Sequence, residues 1–510
     1  MNFIFFFVFL IISLHLIQAT DYPNMFEIST RPWLYSLSQK YGRSITKLTE
    51  IPDAEFENLA NQGIDLVWMM GVWQLGAYGL NYDRTDPDLL NYYSQVLPGY
   101  TQDDIIGSPY AVVDYTCNSE IGTDDDLKWL HSKLNSLGMK LMLDFVPNHS
   151  AVDCPWTSSN MDYYIRAPKG TEPPYDPSKY LSNGIAYGGD MYDGSWKDTA
   201  QLNYWNMDLK AQRIAQMKHI ASLSDGMRCD MAMLILNDII EQAWGTQLSS
   251  WGYSRPSTEF WADAISEVKQ SYPNTIFLAE VYWGKEPDLI SMGFDYVYDK
   301  TLLDNLASYN LANIWGYLQN MPYDISHAAN FIENHDEPRA VARFGSWQKA
   351  DAAALVALTL PGMKFSFMGQ WDGYHNKLDI HLRRAESESA VADVQSFYSK
   401  FIPMISEDVF LKGTYSLITG CDNKNQLLTW KYYHENQDGT YDKRLCVINF
   451  TGSTAYGHVV VSDAYGKDGS DNIDITELFT GTVYQRSASQ MRSEGLTVII
   501  DPWFAQIFSY

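Results

Sequence analysis

Basic residues are scarce: 36 Lys and Arg stand against 62 Asp and Glu in 510 residues, a formal charge of −26. So small a positive inventory cannot neutralise a run of phosphates, which excludes nucleic acid as a primary partner. The negative surplus also repels anionic membranes and substrates, is harmless to a neutral ligand, and suits a well-solvated surface. Long apolar runs are nearly absent too. Residues 1–19, MNFIFFFVFLIISLHLIQA, contain no Asp, Glu, Lys or Arg and precede Thr20-Asp21-Tyr22-Pro23. This pattern reads as a secretory signal peptide ending at Ala19, with an uncleaved anchor as the alternative. No later stretch approaches the roughly 18 apolar residues of a spanning helix. The expectation is a monomer, secreted or held in the lumen of the secretory or lysosomal pathway, without membrane contact once the leader is removed.

Cysteine is limited to five residues, an odd count that leaves at least one thiol unpaired or bonded to another chain. The preferred pairs are Cys117 with Cys154 and Cys421 with Cys446, since each pair falls within one region of the architecture described next. Cys229 then remains as a buried thiol, and other pairings stay open. Asn148-His-Ser150 and Asn449-Phe-Thr451 are glycosylation sequons. Aromatics, by contrast, are plentiful: 16 Trp, 35 Tyr and 22 Phe offer flat faces of the kind that stack on sugar rings or bases.

Between residues 24 and 405, short apolar runs alternate with helical patterns, the signature of repeated βα units and a parallel sheet. Eight runs are countable, within residues 26–34, 65–69, 140–146, 226–230, 275–280, 294–297, 330–333 and 363–367. The pattern predicts a (β/α)₈ TIM barrel over 20–146 and 205–407. Residues 147–204, rich in Pro, Gly, Asp and Tyr, read as a lobe inserted after the third strand. From residue 408 the period changes to two, with strands expected at 426–433, 444–450, 458–462, 496–500 and 504–510, forming a C-terminal antiparallel β-sandwich over 408–510. The acidic stretch 463–472 lacks the spacing of a calcium loop and reads as a turn.

Barrel enzymes work at the carboxyl ends of their strands, so acids there are the residues to seek. Four runs deliver them: Asp144-Phe-Val-Pro-Asn148-His149, Arg228-Cys-Asp230, Ala279-Glu280-Val281 and Glu333-Asn-His335-Asp336. The second loop adds Tyr110 and Asp114. In order and spacing these segments resemble the short motifs of the α-amylase superfamily, glycoside hydrolase family 13, and the resemblance runs from about residue 25 to 510.

Glycoside hydrolysis requires two carboxylates in different protonation states. The resemblance implies that Asp230 is the nucleophile, Glu280 the acid/base and Asp336 the third acid, which grips sugar hydroxyls. Arg228, two residues before Asp230 on the same strand face, is expected to lower its pKa, while burial and neighbouring carboxylates raise that of Glu280. The resemblance also implies that His149 and His335 surround the same sugar, that Tyr110 is its stacking platform, and that Asn148 and Asn203 supply oxygens to a structural calcium ion. Asp144 reads as a supporting acid. Where many α-amylases carry Lys and His after the nucleophile, this chain has Met233 and Leu234, which leaves room for short substrates. Of Trp73, Tyr78, Tyr163, Tyr164, Trp196, Tyr282 and Trp283, about half are expected to touch sugar. The reading is a retaining hydrolase of α-1,4-glucosidic bonds in starch-like or maltooligosaccharide substrates. The alternatives are an α-glucanotransferase with the same residues and a non-catalytic carbohydrate- or partner-binding relative.

Overall fold

The computed structural model of the protein describes residues 22–190, 194–466 and 470–510, so the expected leader at 1–19 lies outside the described residues. Eight strands close into a parallel barrel: β1 (Asn24–Ser29), β2 (Leu66–Met70), β3 (Lys140–Phe145), β4 (Gly226–Cys229), β5 (Ile276–Ala279), β6 (Tyr296–Tyr298), β7 (Ala328–Asn330) and β8 (Met363–Phe367). Closure is made where β8 returns to β1, with Asn24 opposite Lys364 and Glu27 opposite Phe367. β2, β4 and β8 are buried along their whole length. Helices cover the outside and inward side chains fill the lumen, which is why such strands read as unbroken apolar runs rather than as alternation.

The seventh strand lies two residues earlier than the apolar run that signals it. Its pairing residues are Ala328, Ala329 and Asn330, which carry little strand signal. The chain entering β8 passes so close to this strand that position 362 must be glycine: a Cβ on Gly362, whose φ is +94°, would lie 2.1 Å from the Ala328 carbonyl oxygen.

Two of the loops on the site face are elaborated. After β3, strands at His149–Ala151, Ser195–Gln201 and Tyr187–Gly189 form the antiparallel sheet of the inserted lobe. After β2, a hairpin joins Trp73–Leu75 to Val112–Cys117, and between them stand the helices Ala77–Asp83 and Pro87–Val96. Asp86 caps the second helix, accepting hydrogen bonds from the Asp88 and Leu89 amides with Pro87 at its first position.

The C-terminal region is a six-stranded antiparallel sheet facing a two-stranded one, with Leu427, Leu445, Val447, Val459, Val498 and Ile500 in the core between them. Strands Thr414–Leu417 and Thr482–Ser487 have no buried position to give an apolar run, and Asn472–Glu477 alternates with only Ile473 and Ile475 apolar, so none of the three stands out in the sequence. The sheet is fastened to the barrel where Tyr432 donates to the Thr359 carbonyl at 2.9 Å and the Trp315 indole donates to the Leu427 carbonyl at 3.1 Å.

The expected disulfides do not form, and all five cysteines are buried free thiols. Cys446 belongs to the core between the large sheet and the barrel, whereas Cys421 belongs to the core between the two sheets. The large sheet separates the two sulfurs. Cys117 ends the hairpin strand after β2, packed in the barrel core, while Cys154 follows the first strand of the lobe.

Candidate active site

The site is organised around Arg228. It leaves β4 into the barrel mouth with no solvent exposure, beneath the rings of Trp68 and Tyr110, whose centroids lie 5.0 and 5.3 Å from the guanidinium carbon. Its Nη1 donates to Asp230 Oδ1 at 2.7 Å, its Nη2 to Glu280 Oε2 at 2.6 Å, and its Nε to the Tyr298 hydroxyl at 3.2 Å. One planar fork thereby holds both carboxylates, which immediately follow β4 and β5. The backbone reinforces this. The Met231 amide donates to Glu280 Oε2 at 2.7 Å, and Met231 sits at φ +38°, a left-handed conformation that turns the chain sharply just after Asp230.

Protonation follows from burial and charge. Burial pushes Glu280 up to about 7, against the pull of Arg228 and with the help of Asp230 and Asp336. Its other oxygen accepts from Tyr282 at 2.9 Å. Burial raises Asp230 above its ordinary value; Arg228 pulls it down, as expected, by its charge and its hydrogen bond, but offsets the burial only in part. Asp336 differs. Burial would raise it, but the adjacent His335 imidazolium, Arg228 and Lys377 hold it well below the usual carboxylate range.

His335 is fixed from three sides: Nδ1 lies 2.5 Å from Glu27 Oε1, and Nε2 lies 3.0 Å from Asp336 Oδ2 and 2.9 Å from the Tyr110 hydroxyl. Burial disfavours its charge, yet Asp336 and Glu27 prevail and push it up to about 10. Tyr110 stacks on it at 5.4 Å. His149 is the opposite case: burial pushes it down to about 4, and its Nε2 has no hydrogen-bond partner. Asp144 sits behind the pair, pushed up to about 6 by burial with Arg228 opposing, and accepts from the Gly71 amide at 3.3 Å.

Asp230, Glu280, Asp336, Tyr110 and His149 all line one cavity of about 740 Å³, a volume suited to a short oligosaccharide. Arg228 and His335 stand directly behind them. Of the aromatic candidates, Trp196, Tyr282 and Trp283 line the cavity. Trp73 is fully buried, donating to the Asp144 carbonyl, and Tyr164 is core. Met233 and Leu234 are core residues as well, and it is Met231 that faces the cavity. Glu27 and Tyr298 are site residues that the motifs do not mark. Glu27 does leave a trace, being the single acid inside the apolar run Met25-Phe-Glu-Ile28.

Asn148 and Asn203, expected as calcium ligands, have their oxygens committed to protein donors. Asn148 Oδ1 accepts from Gln201 Nε2 at 2.8 Å, and Asn203 Oδ1 accepts from the Trp205 amide at 3.1 Å. Gln201 Nε2 also reaches the Asn148 carbonyl at 3.0 Å, while its Oε1 accepts from the Gly189 amide at 3.3 Å. Neutral amides bonded to one another, without a carboxylate, do not fit a hard divalent cation. Among the described residues no cluster of three His, Cys, Asp or Glu side chains could hold a metal.

A closed parallel barrel with an Asp/Glu pair on one guanidinium, a lobe after β3 and a terminal sandwich defines a protein of the glycoside hydrolase class. The chain belongs to the α-amylase family, whose catalytic-domain model matches residues 97–409. Among similar sequences, α-amylase 3 of Dictyoglomus thermophilum is 24% identical over 67% of this chain and 63% of its own length. An oligo-1,6-glucosidase of Halalkalibacterium halodurans is 25% identical over 79% and 76%, respectively. Maltase 1 of Drosophila virilis is 22% identical over 64% and 55%. The chain thus spans less than two-thirds of the length of two of these three relatives. Among solved structures, a maltogenic α-amylase of Thermotoga neapolitana shares the fold with a TM-score of 0.67 at 19% identity, covering 96% of this chain and 99% of the other.

Proposed function

We propose that the protein hydrolyses α-glucosidic bonds of α-glucans with retention, α-1,4 linkages in maltooligosaccharides or starch-like chains foremost. The observation that carries this is the shared guanidinium: Arg228 holds Asp230 and Glu280 side by side while burial brings Glu280 to about 7. Neighbouring carboxylates of unlike protonation are what a double displacement requires. In the first step an Asp230 oxygen bonds to the anomeric carbon as the glycosidic bond breaks, and the Glu280 proton passes to the departing oxygen. In the second, Glu280 takes a proton from water, whose oxygen displaces Asp230 and restores the free carboxylate. Asp336, held as an anion by His335, accepts hydrogen bonds from hydroxyls of the sugar and strengthens its grip as the ring flattens toward an oxocarbenium ion. The relatives named as amylase, oligo-glucosidase and maltase support the substrate class and leave α-1,6 linkages within it.

The test is product chromatography on maltoheptaose and soluble starch with wild type and Glu280→Gln, together with NMR of the first anomer released. Shorter oligosaccharides of α configuration from the wild type alone are expected. A β anomer, or equal turnover by Glu280→Gln, would overturn the assignment. We also propose entry into the secretory pathway, supported by the uncharged apolar segment 1–19. Amino-terminal sequencing of the exported protein should begin at Thr20, and retention of residues 1–19 would refute cleavage.

A further inference from the structure

In the closed barrel β5, which Glu280 follows, stands opposite β1, and the strands flanking β1 are β2 and β8, so the long loops after β2 and β8 stand across the mouth from Glu280, where they are zipped together. The Ile106 amide donates to the His381 carbonyl at 2.8 Å and the Arg383 amide to the Asp104 carbonyl at 2.9 Å. Asp104 then accepts from Arg383 Nε at 3.0 Å and from Arg384 at 2.9 and 3.0 Å. Behind this seam, Tyr93, Leu97, Ile105 and Leu382 form a small hydrophobic core of their own, separate from that of the barrel. The two loops therefore make a packed wall rather than a pair of independent rims.

Polar groups project from that wall into the cavity. Asp83, at the end of the helix Ala77–Asp83, is 1% exposed, lines the cavity, and its Oδ2 has no hydrogen-bond partner in the protein. His381 lines the cavity beside it and is held by Asp379, whose Oδ1 lies 3.1 Å from Nδ1 and whose Oδ2 accepts from Tyr92 at 3.0 Å. Burial disfavours the charge on His381, but Asp379, Asp83 and Asp198 prevail and push it up to about 9, so the wall carries an imidazolium donor as well as the Asp83 acceptor. A buried carboxylate oxygen without a partner is expensive unless a ligand supplies the missing donor.

We propose that this wall is a blind terminus, and that Asp83 and His381 bind the hydroxyls of a non-reducing-end sugar, so that the protein acts on α-glucans from their chain ends. The inference rests on the hydrolase reading above, which fixes direction. The leaving group departs beside Glu280, so the glycone, and with it the non-reducing end, lies on the opposite side of Asp230, where the wall stands. Only a terminal residue carries a free 4-hydroxyl to give Asp83 Oδ2 the donor it lacks. An internal residue of a long chain would drive its neighbour into the seam.

The experiment compares p-nitrophenyl maltoheptaoside with the same compound bridged at O4 and O6 of its non-reducing end by a cyclic acetal, in turnover by wild type and in calorimetric binding to Glu280→Gln. Wild type should cleave the free compound about a hundredfold faster, and Glu280→Gln should bind it while rejecting the blocked one. Asp83→Ala and His381→Ala, with unchanged circular dichroism, should raise KM for the free compound and reduce the discrimination to a few-fold. Equal cleavage or equal binding of the two compounds would overturn the blind terminus. If wild type cleaves neither compound while Glu280→Gln still binds only the free one, the hydrolase reading falls and the terminus stands.

Discussion

At the residue scale the decisive property is which groups hold protons. Glu280 sits above its ordinary 4.5, up to about 7, so the fold favours its protonated form. The stability this contributes is present below 4.5 and drains as pH rises through about 7, because the folded state then gives up a proton it holds more tightly than the unfolded chain does. The acid form that the proposed mechanism requires is lost over the same range, so kcat/KM should fall about tenfold per unit above pH 7. Thermal melts should show Glu280→Gln gaining on wild type between pH 5 and pH 8. A pH-independent difference would contradict the assignment. Glu27 acts through another residue. It holds His335 charged, so Glu27→Gln should lower kcat by about one to two orders of magnitude with a smaller change in KM. Because His335 is raised to about 10, its charged-state stabilisation is complete below its ordinary 6.5 and lost on passing through about 10. In Glu27→Gln this alkaline loss should move to lower pH. A variant whose pH profile does not move would mark Glu27 as mere packing.

At the scale of elements, two joints decide how the site is framed. The lobe is tied to the barrel by Gln201, whose amide bonds both oxygens of Asn148 and whose carbonyl takes the Gly189 amide. This is the position at which the family resemblance places calcium, and a side-chain amide holds it here. Melting temperature and activity should therefore be unchanged by EDTA, whereas Gln201→Ala should destabilise by about 1–3 kcal/mol, the penalty for stranding buried polar groups. A chelator-induced drop in melting temperature would reverse the argument. The second joint is Asp104, on which Arg383 and Arg384 converge. Asp104→Ala should loosen the seam, lowering the melting temperature and narrowing the discrimination between free and end-blocked substrates without touching Asp230 or Glu280. Asp230 and Glu280 are legible in the sequence because each follows its strand directly, so the run that makes the strand also announces the residue, whereas Asp336 stands six residues beyond β7 and is marked by its motif instead. The seam is not. Asp83 and His381 come from opposite ends of the barrel sequence, and the contacts that join their loops are a backbone bridge, the ion pairs of Asp104 and a four-residue apolar core with no periodicity of its own.

At the scale of the whole molecule, the barrel and the sandwich are visible in the sequence because their periods differ, unbroken runs against alternation. The cysteine pairing was not recoverable that way, because proximity in sequence says nothing about which face of a sheet a side chain occupies. Cys421 and Cys446 lie on opposite sides of the large C-terminal sheet, and Cys117, Cys154 and Cys229 are each buried. Burial raises the thiols of Cys117, Cys229, Cys421 and Cys446 above their ordinary values, which suppresses the reactive thiolate. The native protein should therefore ignore a thiol-specific chromogenic reagent, while all five cysteines should react once it is unfolded in guanidinium. Dithiothreitol should leave the melting temperature where it is, since no covalent crosslink restrains the unfolded chain. Fewer than five thiols in the denatured protein, with a melting temperature that falls on reduction, would mean that export rearranges one of these strands enough to bring two sulfurs together.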